Sequence, residues 1–502
     1  MADMREVNRK LWWASILVFV TVFSIVMDRL TGCSRKDEKV VFIPTPPTAA
    51  PTEEPPPIGE PEDTLLQLDE IEQAMLEDAS RADLNQADRE NYRYLVLSDM
   101  FNEGHPTDGV PAQGIQKAIN QLSSERFIKL AVPVDVERSI YRIDLRDYFG
   151  SRGKDVWKRI EKDLPVKVVS KTIRGQTLQF LTQAVQPWVH GRLFAETALT
   201  NETYYDVVAI PIKLADFYRN FARVVPQAEF DARDPGLFLV GTQESVIAQN
   251  NRLGWRLEGA NGAVYQTFDV DDNNIGREQN LFEFPFVAEV NPLNRRVTNK
   301  IFKHAASEVI ATLPNGMLAF GLYNAAGLRQ NAAPQTVVSN TRAVALGLSS
   351  EIRNARDCSG CHQSGFIAIR DEIGAHIKGS GDFNAAEKAL GELFYKRQAT
   401  VDAFMAQDNS AYTKALAELG IQAGPDPINE GLLDAIRTGV SAKEAAAFFF
   451  LDELDFLERL RGSENAQAEV GAWLRGGNVS FSQFINSAPQ IINDLNLFVD
   501  IE

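Results

Sequence analysis

Apolar side chains recur every three or four positions in several parts of this chain, which is the period of an amphipathic helix. The pattern predicts helices over 64–104, 110–122 and 154–164. The last of these segments is followed by Pro165, which cannot continue a helix because its ring removes the backbone N–H. The third predicted helix is therefore expected to end at residue 164.

Other segments have the pattern of strands. Residues 139–148 alternate apolar and charged side chains, which predicts a half-buried strand. Residues 166–340 contain several strand-like runs separated by clusters of Gly, Pro, Asn and Asp. Within this region Leu313-Pro-Asn-Gly316 lies between two apolar runs and predicts the turn of a hairpin.

The pattern becomes helical after residue 345. Ser441 and Glu444 have the spacing of a capping box, in which each side chain bonds a backbone N–H at the start of a helix. We therefore predict an α+β fold class. A mixed N-terminal region with strands and helices spans 64–340, and a mainly α-helical region spans 341–502.

Residues 1–33 have the pattern of an export signal or a membrane anchor. Basic residues precede the apolar run 11–27, and Leu30-Thr-Gly-Cys33 follows it. This sequence is similar to the bacterial lipobox, in which the cysteine is lipidated and becomes the first mature residue. The two charged residues between the run and the box are a departure, so an uncleaved membrane helix is the alternative to a lipid on Cys33. Both interpretations place the rest of the chain outside the cytoplasm.

Residues 34–63 have the composition of a linker. They hold the densest run of the chain's 23 prolines, together with Thr and Glu, and show no apolar periodicity. Such a composition cannot form a packed core and favours extended polyproline II. We expect a disordered tether that holds the folded part away from a membrane.

Composition and charge narrow the classes of function. The chain has 502 residues, of which 44% are hydrophobic and 24% charged, which excludes a wholly disordered or polytopic membrane protein. Its 68 acidic and 51 basic side chains give a net charge of −17. Such a surface repels nucleic acid, so we expect no nucleic-acid partner. A basic protein or a small solute is a more suitable partner for this acidic surface.

The cysteines point to a cofactor. The chain has three, which is too few for a disulfide framework, and two of them lie in Cys358-Ser-Gly-Cys361-His362. Two thiols three positions apart lie on one side of a helical turn and can form thioethers with the two vinyl groups of one haem. The adjacent histidine then serves as the proximal iron ligand. The motif predicts one covalent haem c on Cys358 and Cys361, with iron on His362.

Other interpretations of the motif stay open at this point. The two cysteines can form a disulfide, whereas a zinc site would need further ligands and the chain has no second cysteine pair. The distal iron ligand is also open between His304 and Met405, of which Met405 follows His362 at a separation reminiscent of small cytochromes c. Core packing is the alternative role for both side chains, and an open or water-ligated iron is compatible with the sequence.

Several stretches resemble a group of uncharacterised bacterial exported proteins that end in a single cytochrome c-like motif. The similarity covers about residue 66 to residue 490 and includes the haem motif. It implies a cytochrome c-like C-terminal region, haem binding and electron transfer, and it implies no particular substrate. Besides the haem motif, it is carried by Arg93-Tyr-Leu95, Asn120-Gln-Leu-Ser123, Tyr141-Arg-Ile-Asp-Leu145, Asn250-Asn-Arg-Leu253, Gln279-Asn-Leu-Phe282 and Leu313-Pro-Asn-Gly316.

The same resemblance bears on the distal ligand. In that group a histidine, small residues and a glutamate precede the turn that corresponds to 313–316. His304 and Glu308 fit these positions, which favours His304 as the distal ligand. Residues 305–307 depart from the Asp-Gly-Gly that is usual there.

These observations favour a membrane-tethered mono-haem c-type electron carrier over an enzyme. We expect it on the periplasmic side of a bacterial cell envelope, attached through a lipid anchor or an N-terminal helix. A redox protein is the expected partner, and a basic surface on it would suit the acidic chain. The alternatives are a haem-dependent oxidoreductase or peroxidase, for which an open iron position is required, and a haem-based sensor or binding module. The role of 64–340 is left open by the sequence.

Overall fold

The computed structural model describes residues 65–243, 251–271, 276–338, 351–422, 424–433 and 439–498. Asp63–Glu502 forms one compact unit. The mixed α+β class is confirmed, with 47% of the described residues in helices and 16% in strands. The predicted signal or anchor at 1–33 and the linker at 34–63 lie outside the described residues. Within the described ranges, every helix is too short or too polar to cross a membrane.

A four-stranded sheet organises the first part of the chain. Its order is β2-β3-β1-β4, in which β1 pairs antiparallel with β3 and parallel with β4. Helices surround it because their apolar faces need cover from water. The strands are β1 Tyr92–Val96, β2 Val132–Pro133, β3 Ile140–Asp144 and β4 Trp188–His190. The helices are α1 Leu68–Ala79, α2 Gln86–Arg89, α3 Ser98–Asn102, α4 Val110–Gln121, α5 Leu145–Phe149, α6 Gly153–Asp163, α7 Ile173–Thr182, α8 Gly191–Ala198 and α9 Asn201–Val208.

A six-stranded antiparallel sheet forms the middle of the fold. Its order is β10-β9-β8-β7-β6-β5, so each strand pairs with the next one along the chain. The strands are β5 Phe238–Thr242, β6 Arg252–Gly259, β7 Gly262–Asp269, β8 Ala306–Thr312, β9 Leu318–Asn324 and β10 Arg329–Gln330. A short pair follows, β11 Ala332–Ala333 with β12 Ile352–Arg353. Two helices precede this sheet, α10 Leu214–Asp216 and α11 Pro226–Ala232.

Helices dominate the described residues after 353. They are α12 Arg356–Cys361, α13 Ile373–Gly379, α14 Ala385–Phe394, α15 Gln398–Glu418, α16 Ala442–Phe448, α17 Glu453–Arg461, α18 Glu464–Val470 and α19 Phe481–Asp494. Their buried side chains share one core cluster with the strands before them. The predicted boundary between residues 340 and 341 falls outside the described residues, and a cytochrome c-like arrangement of these helices stays a prediction.

Different parts of the chain pack against the two faces of the six-stranded sheet. Side chains that are directly opposed on neighbouring strands point to the same face, and successive side chains along a strand alternate. The pairing of Arg252 with Asp269 and of Asp269 with Ala306 therefore puts Glu308 on the same face as both charged groups. We call this the motif face, because α12 packs on it. The opposite face carries Trp255 and Phe268, whose rings pack with centroids 4.9 Å apart.

Several predicted elements are confirmed. The helices predicted over 110–122 and 154–164 occur as α4 and α6. The hairpin occurs as β8 and β9, where Gly316 adopts a φ of 85° that an L side chain rarely takes. The capping box of Ser441 and Glu444 is present at the start of α16.

Two of the predictions were wrong in part. The stretch 64–104 is not continuously helical, because Tyr92–Val96 forms a fully buried strand between two others. An all-buried strand does not alternate, so its apolar run cannot be distinguished from that of a helix. The strand predicted over 139–148 ends at Asp144, whose carboxylate accepts the backbone N–H of Arg146 and starts α5.

Candidate functional site

The haem-type motif forms a short helix whose position is fixed by a partly buried ion pair. Both Nη1–Oε distances between Arg356, the first residue of α12, and Glu196 of α8 are under 2.8 Å. The backbone N–H of Arg356 also donates to the carbonyl oxygen of Leu199. Ala355, just before the helix, has a φ of 55° and a ψ of −60°, which is a strained conformation for a residue with a side chain. The helix is therefore held in place by the surrounding fold.

Cys358 and Cys361 have different surroundings although they share this helix. Cys358 is 2% exposed, whereas Cys361 is exposed, and both carry thiols rather than a disulfide. Burial raises the pKa of the Cys358 thiol well above its ordinary value, and the nearby side chain of Glu308 on β8 raises it further. The Cys358 thiol is therefore kept protonated.

His362 ends the motif helix and is held in a defined orientation. Its Nδ1 lies 3.0 Å from the carbonyl oxygen of Gly365, which turns the chain back with a φ of 108°. The imidazole packs against Phe320 of β9 with ring centroids 5.7 Å apart. Burial lowers the pKa of His362, so the ring is held neutral. A neutral ring whose Nδ1–H donates to a carbonyl presents Nε2 as the nitrogen that can bind a metal.

Three polar side chains of the motif face form a chain beside Cys358. The backbone N–H of Glu308 donates to the hydroxyl of Thr267, and that hydroxyl donates to Asp269 at 2.9 Å. The guanidinium of Arg252 donates through Nε to Asp269 at 2.5 Å. Arg252 is 8% exposed, and its Nη2 is a buried donor with no hydrogen-bond partner. Burial raises the pKa of Asp269 against the opposing effect of Arg252.

A small cleft adjoins these charged residues. It measures about 380 Å³ when the adjoining open solvent is counted, and its polar lining includes Arg252, Asp269 and Glu308 together with Ser307 and Gln330. Its apolar lining includes Leu322 of β9 and Ile352 of β12. The cleft therefore places two carboxylates and one guanidinium against an apolar wall next to the haem-type motif.

The structure does not bring His304 and His362 together. The ring of His304 packs edge-on against Phe268 with centroids 5.0 Å apart, and Phe268 belongs to the face opposite the motif face. Burial alone lowers the pKa of His304. The glutamate of the same sequence stretch, Glu308, lies on the motif face near Cys358.

Met405 lies on the same side of the sheet as the motif. It is 5% exposed and shares the buried side of α15 with Val401 and Tyr412. Three residues further along this helix, Asp408 bonds to Arg256 and to the hydroxyl of Tyr265 on the motif face. Met405 is therefore a core side chain of the helix that covers this face, and its role as distal ligand stays a prediction.

Comparison with family models, with curated proteins and with solved structures gives no match. The resemblance described above is therefore an expectation that these comparisons leave unsupported.

The donor set at the motif fits the proximal side of a c-type haem. Two thiols lie three residues apart on one helix, and the adjacent imidazole has the Nδ1–carbonyl contact that orients metal-binding histidines. A zinc site is less well supported. Among the residues described, no group of three or more His, Cys, Asp or Glu side chains is placed to hold a metal ion.

Sequence reasoning missed the charged residues of the cleft. Arg252 and Asp269 lie in strands whose neighbouring residues are mostly apolar, and a charge inside such a strand is the signal that was available. The sequence analysis named Glu308 only because, together with His304, it fits the pattern that precedes the turn in the resembling proteins. Its position near Cys358 depends on the register of β8 against β7, which the sequence pattern does not specify. Cys33 lies outside the described residues.

Proposed function

We propose that this chain carries one covalent haem c on Cys358 and Cys361, with His362 as the proximal ligand, and that it transfers electrons. The observation that carries the proposal is the contact between Nδ1 of His362 and the carbonyl oxygen of Gly365, on the helix that presents both thiols. This contact fixes the tautomer and the ring orientation that an iron ligand needs.

A bound haem supplies an iron that accepts and returns one electron. The chain's own residues would attach the haem, ligate its iron and shield it from water. Cys358 and Cys361 hold the group covalently, and His362 presents Nε2 from a ring that Phe320 and Gly365 keep in place. The packing of α12 against the sheet excludes water from Cys358 and from His362, which are 2% and 8% exposed.

The location and partners are part of the same proposal. The apolar run 11–27, the lipobox-like Cys33 and the proline-rich 34–63 support attachment to a membrane of the bacterial cell envelope, on its periplasmic side. The net charge of −17 supports a basic redox protein as partner, since opposite charges steer two proteins together.

The test is the intact mass and the absorption spectrum of the full chain, produced in a host that attaches c-type haem. We expect the mass of one haem to survive denaturation and the reduced protein to have a c-type spectrum. Cys361→Ala should lose stable two-point attachment, and His362→Ala should change the iron coordination. A colourless chain with unmodified thiols, made in cells where a control cytochrome matures, would contradict the proposal.

A haem-dependent oxidoreductase is the second candidate, and the cleft is the observation that favours it. Glu308 lies near Cys358, and Arg252 offers a buried donor without a hydrogen-bond partner in the same cleft. Beside a reacting centre, a carboxyl group can serve acid–base chemistry and a guanidinium can stabilise a developing negative charge. Rapid cyanide or carbon monoxide binding by the haem-loaded chain, with a rate that changes in Glu308→Gln, would favour the enzyme over the carrier.

A further inference from the structure

Helix α7 exposes an apolar face to solvent. Ile173 and Phe180 are each 77% exposed. They lie seven positions apart, which places them two turns apart on the same face of the helix. The opposite side of α7, which includes Leu178, is buried and packs against α1. Val169 before the helix and Val185 after it are 48% and 63% exposed, so the apolar surface extends beyond both ends of α7.

The polar group nearest to this face is satisfied within the helix. The hydroxyl of Thr177 lies between the two exposed apolar side chains and donates to the carbonyl oxygen of Ile173 at 2.7 Å. The hydroxyl therefore has a hydrogen bond that needs no water. An apolar environment can contact this face without leaving that donor unpaired.

The sequence stretch that forms this face carries a charge opposite to that of the whole chain. The sequence has no Asp or Glu between Asp163 and Glu196, although the chain carries 68 of them. Lys167 and Lys171 lie in this stretch, and both are exposed. An apolar surface flanked by lysines is typical of segments that lie in a membrane interface, where the cations meet anionic headgroups.

The face also lies beside the first helix of the described chain. Arg174 of α7 bonds to Asp69 and Gln73 of α1 at 3.2 and 2.8 Å. Asp69 is in the first turn of α1, which begins a few residues after the predicted linker 34–63. The described chain therefore begins on the side of the fold that presents α7.

We infer that Val169, Ile173, Phe180 and Val185, which we call the docking face, contact the anionic surface of the membrane to which the chain is attached. Ile173 and Phe180 enter the boundary between headgroups and acyl chains, and Lys167 and Lys171 pair with lipid phosphates. The inference rests on the proposed membrane attachment. It adds that the folded unit presents one defined side to the bilayer.

The test places the photoreactive residue p-benzoylphenylalanine at position 180 of the full chain. The control places it at position 454, because Leu454 is also 77% exposed and is flanked by Glu453 and Asp455. Both chains are reconstituted in vesicles of phosphatidylcholine and phosphatidylglycerol and then irradiated. We expect at least a several-fold higher yield of lipid adducts at position 180 than at position 454.

A second variant tests the role of the lysines. Lys167→Glu with Lys171→Glu, in the chain labelled at position 180, should lower the yield of lipid adducts several-fold. Both lysines are exposed, so the substitutions leave the core intact. Vesicles of phosphatidylcholine alone should give the same reduction for the chain with both lysines, because they lack the anionic headgroup.

Flotation of the unlabelled chain with the vesicles separates the two proposals. A chain that does not float contradicts the proposed membrane attachment, and it therefore also contradicts the proposed role of the docking face. A chain that floats but gives equal lipid adducts at positions 180 and 454 overturns the docking face alone. Adducts at position 180 with a second copy of the protein instead of lipid would also overturn it, since the face would then be a contact between copies.

Discussion

Asn409 of α15 and Phe366 of the loop after the haem-type motif are joined by a reciprocal pair of hydrogen bonds. The side-chain oxygen of Asn409 accepts the backbone N–H of Phe366 at 2.7 Å, and its side-chain nitrogen donates to the Phe366 carbonyl at 3.0 Å. A side chain of α15 thus replaces a missing backbone partner for a loop residue. Through this pair the helix that contains Met405 fixes the loop that orients His362.

Replacing Asn409 should loosen the motif loop. Asn409→Ala leaves the N–H and the carbonyl of Phe366 without their partner, which costs about 1–3 kcal/mol for partly buried groups. Urea unfolding of the full chain measures the loss of free energy. The matched control is Gln407→Ala on the exposed side of the same helix, which should change stability by less than about 0.5 kcal/mol. Equal losses of unfolding free energy in the two variants would contradict the role of Asn409 in holding the motif loop.

A buried ion pair should matter far more than one at the surface. Asp408 accepts two hydrogen bonds from Arg256 at 2.7 Å, and both side chains are at most 4% exposed. Asp408→Ala leaves the guanidinium with the exposed Glu258 as its remaining carboxylate, which should cost roughly 3 kcal/mol. Glu418→Ala removes an exposed pair with Lys414 and should cost about 0.5 kcal/mol or less. Urea unfolding of the two variants makes the comparison, and losses of similar size would contradict it.

The two motif cysteines should differ in reactivity before any haem is attached. Cys361 is exposed, whereas Cys358 is buried and the pKa of its thiol is raised. A thiolate is the reactive form, so iodoacetamide at mildly alkaline pH should modify Cys361 and spare Cys358. Peptide mass spectrometry of the haem-free chain reports each site, and labelling in urea gives the fully reactive reference. Equal labelling in the folded chain would show that Cys358 is accessible.

The carboxyl of Glu103 should make stability depend on pH. Burial and the neighbouring Asp99 raise the pKa of Glu103 to about 7, although Arg192 opposes the shift. The folded state then binds more protons than the unfolded state between the ordinary carboxyl pKa, about 4.5, and pH 7. The contribution of this group is therefore lost as the pH rises through that window.

Glu103→Gln removes this titration. The stability of the natural chain relative to the variant should fall by roughly 2 kcal/mol between pH 5 and pH 8, as a shift of this size implies. Urea unfolding at the two pH values measures the difference. Glu77→Gln on the exposed surface of α1 serves as control and should show no such change. A difference that rises with pH would mean that Glu103 is stabilised as a carboxylate by Arg192.

The sequence anticipated elements that depend on local patterns. The helices at 110–122 and 154–164, the hairpin at 313–316 and the capping box at Ser441 each require residues within a few positions of one another. Periodicity and turn chemistry suffice for these. The sequence pattern did not predict the strand Tyr92–Val96, because a strand buried on both faces is defined by the strands beside it.

The candidate site divides in the same way. The sequence alone determined the spacing of Cys358, Cys361 and His362, since the chemistry of the motif lies within five consecutive residues. The tertiary structure decided that Glu308 lies near Cys358, whereas the ring of His304 packs against Phe268 on the opposite face. These contacts depend on strand register and on which face of a sheet a helix covers. Both are set by packing between residues far apart in the chain, and no local pattern records them.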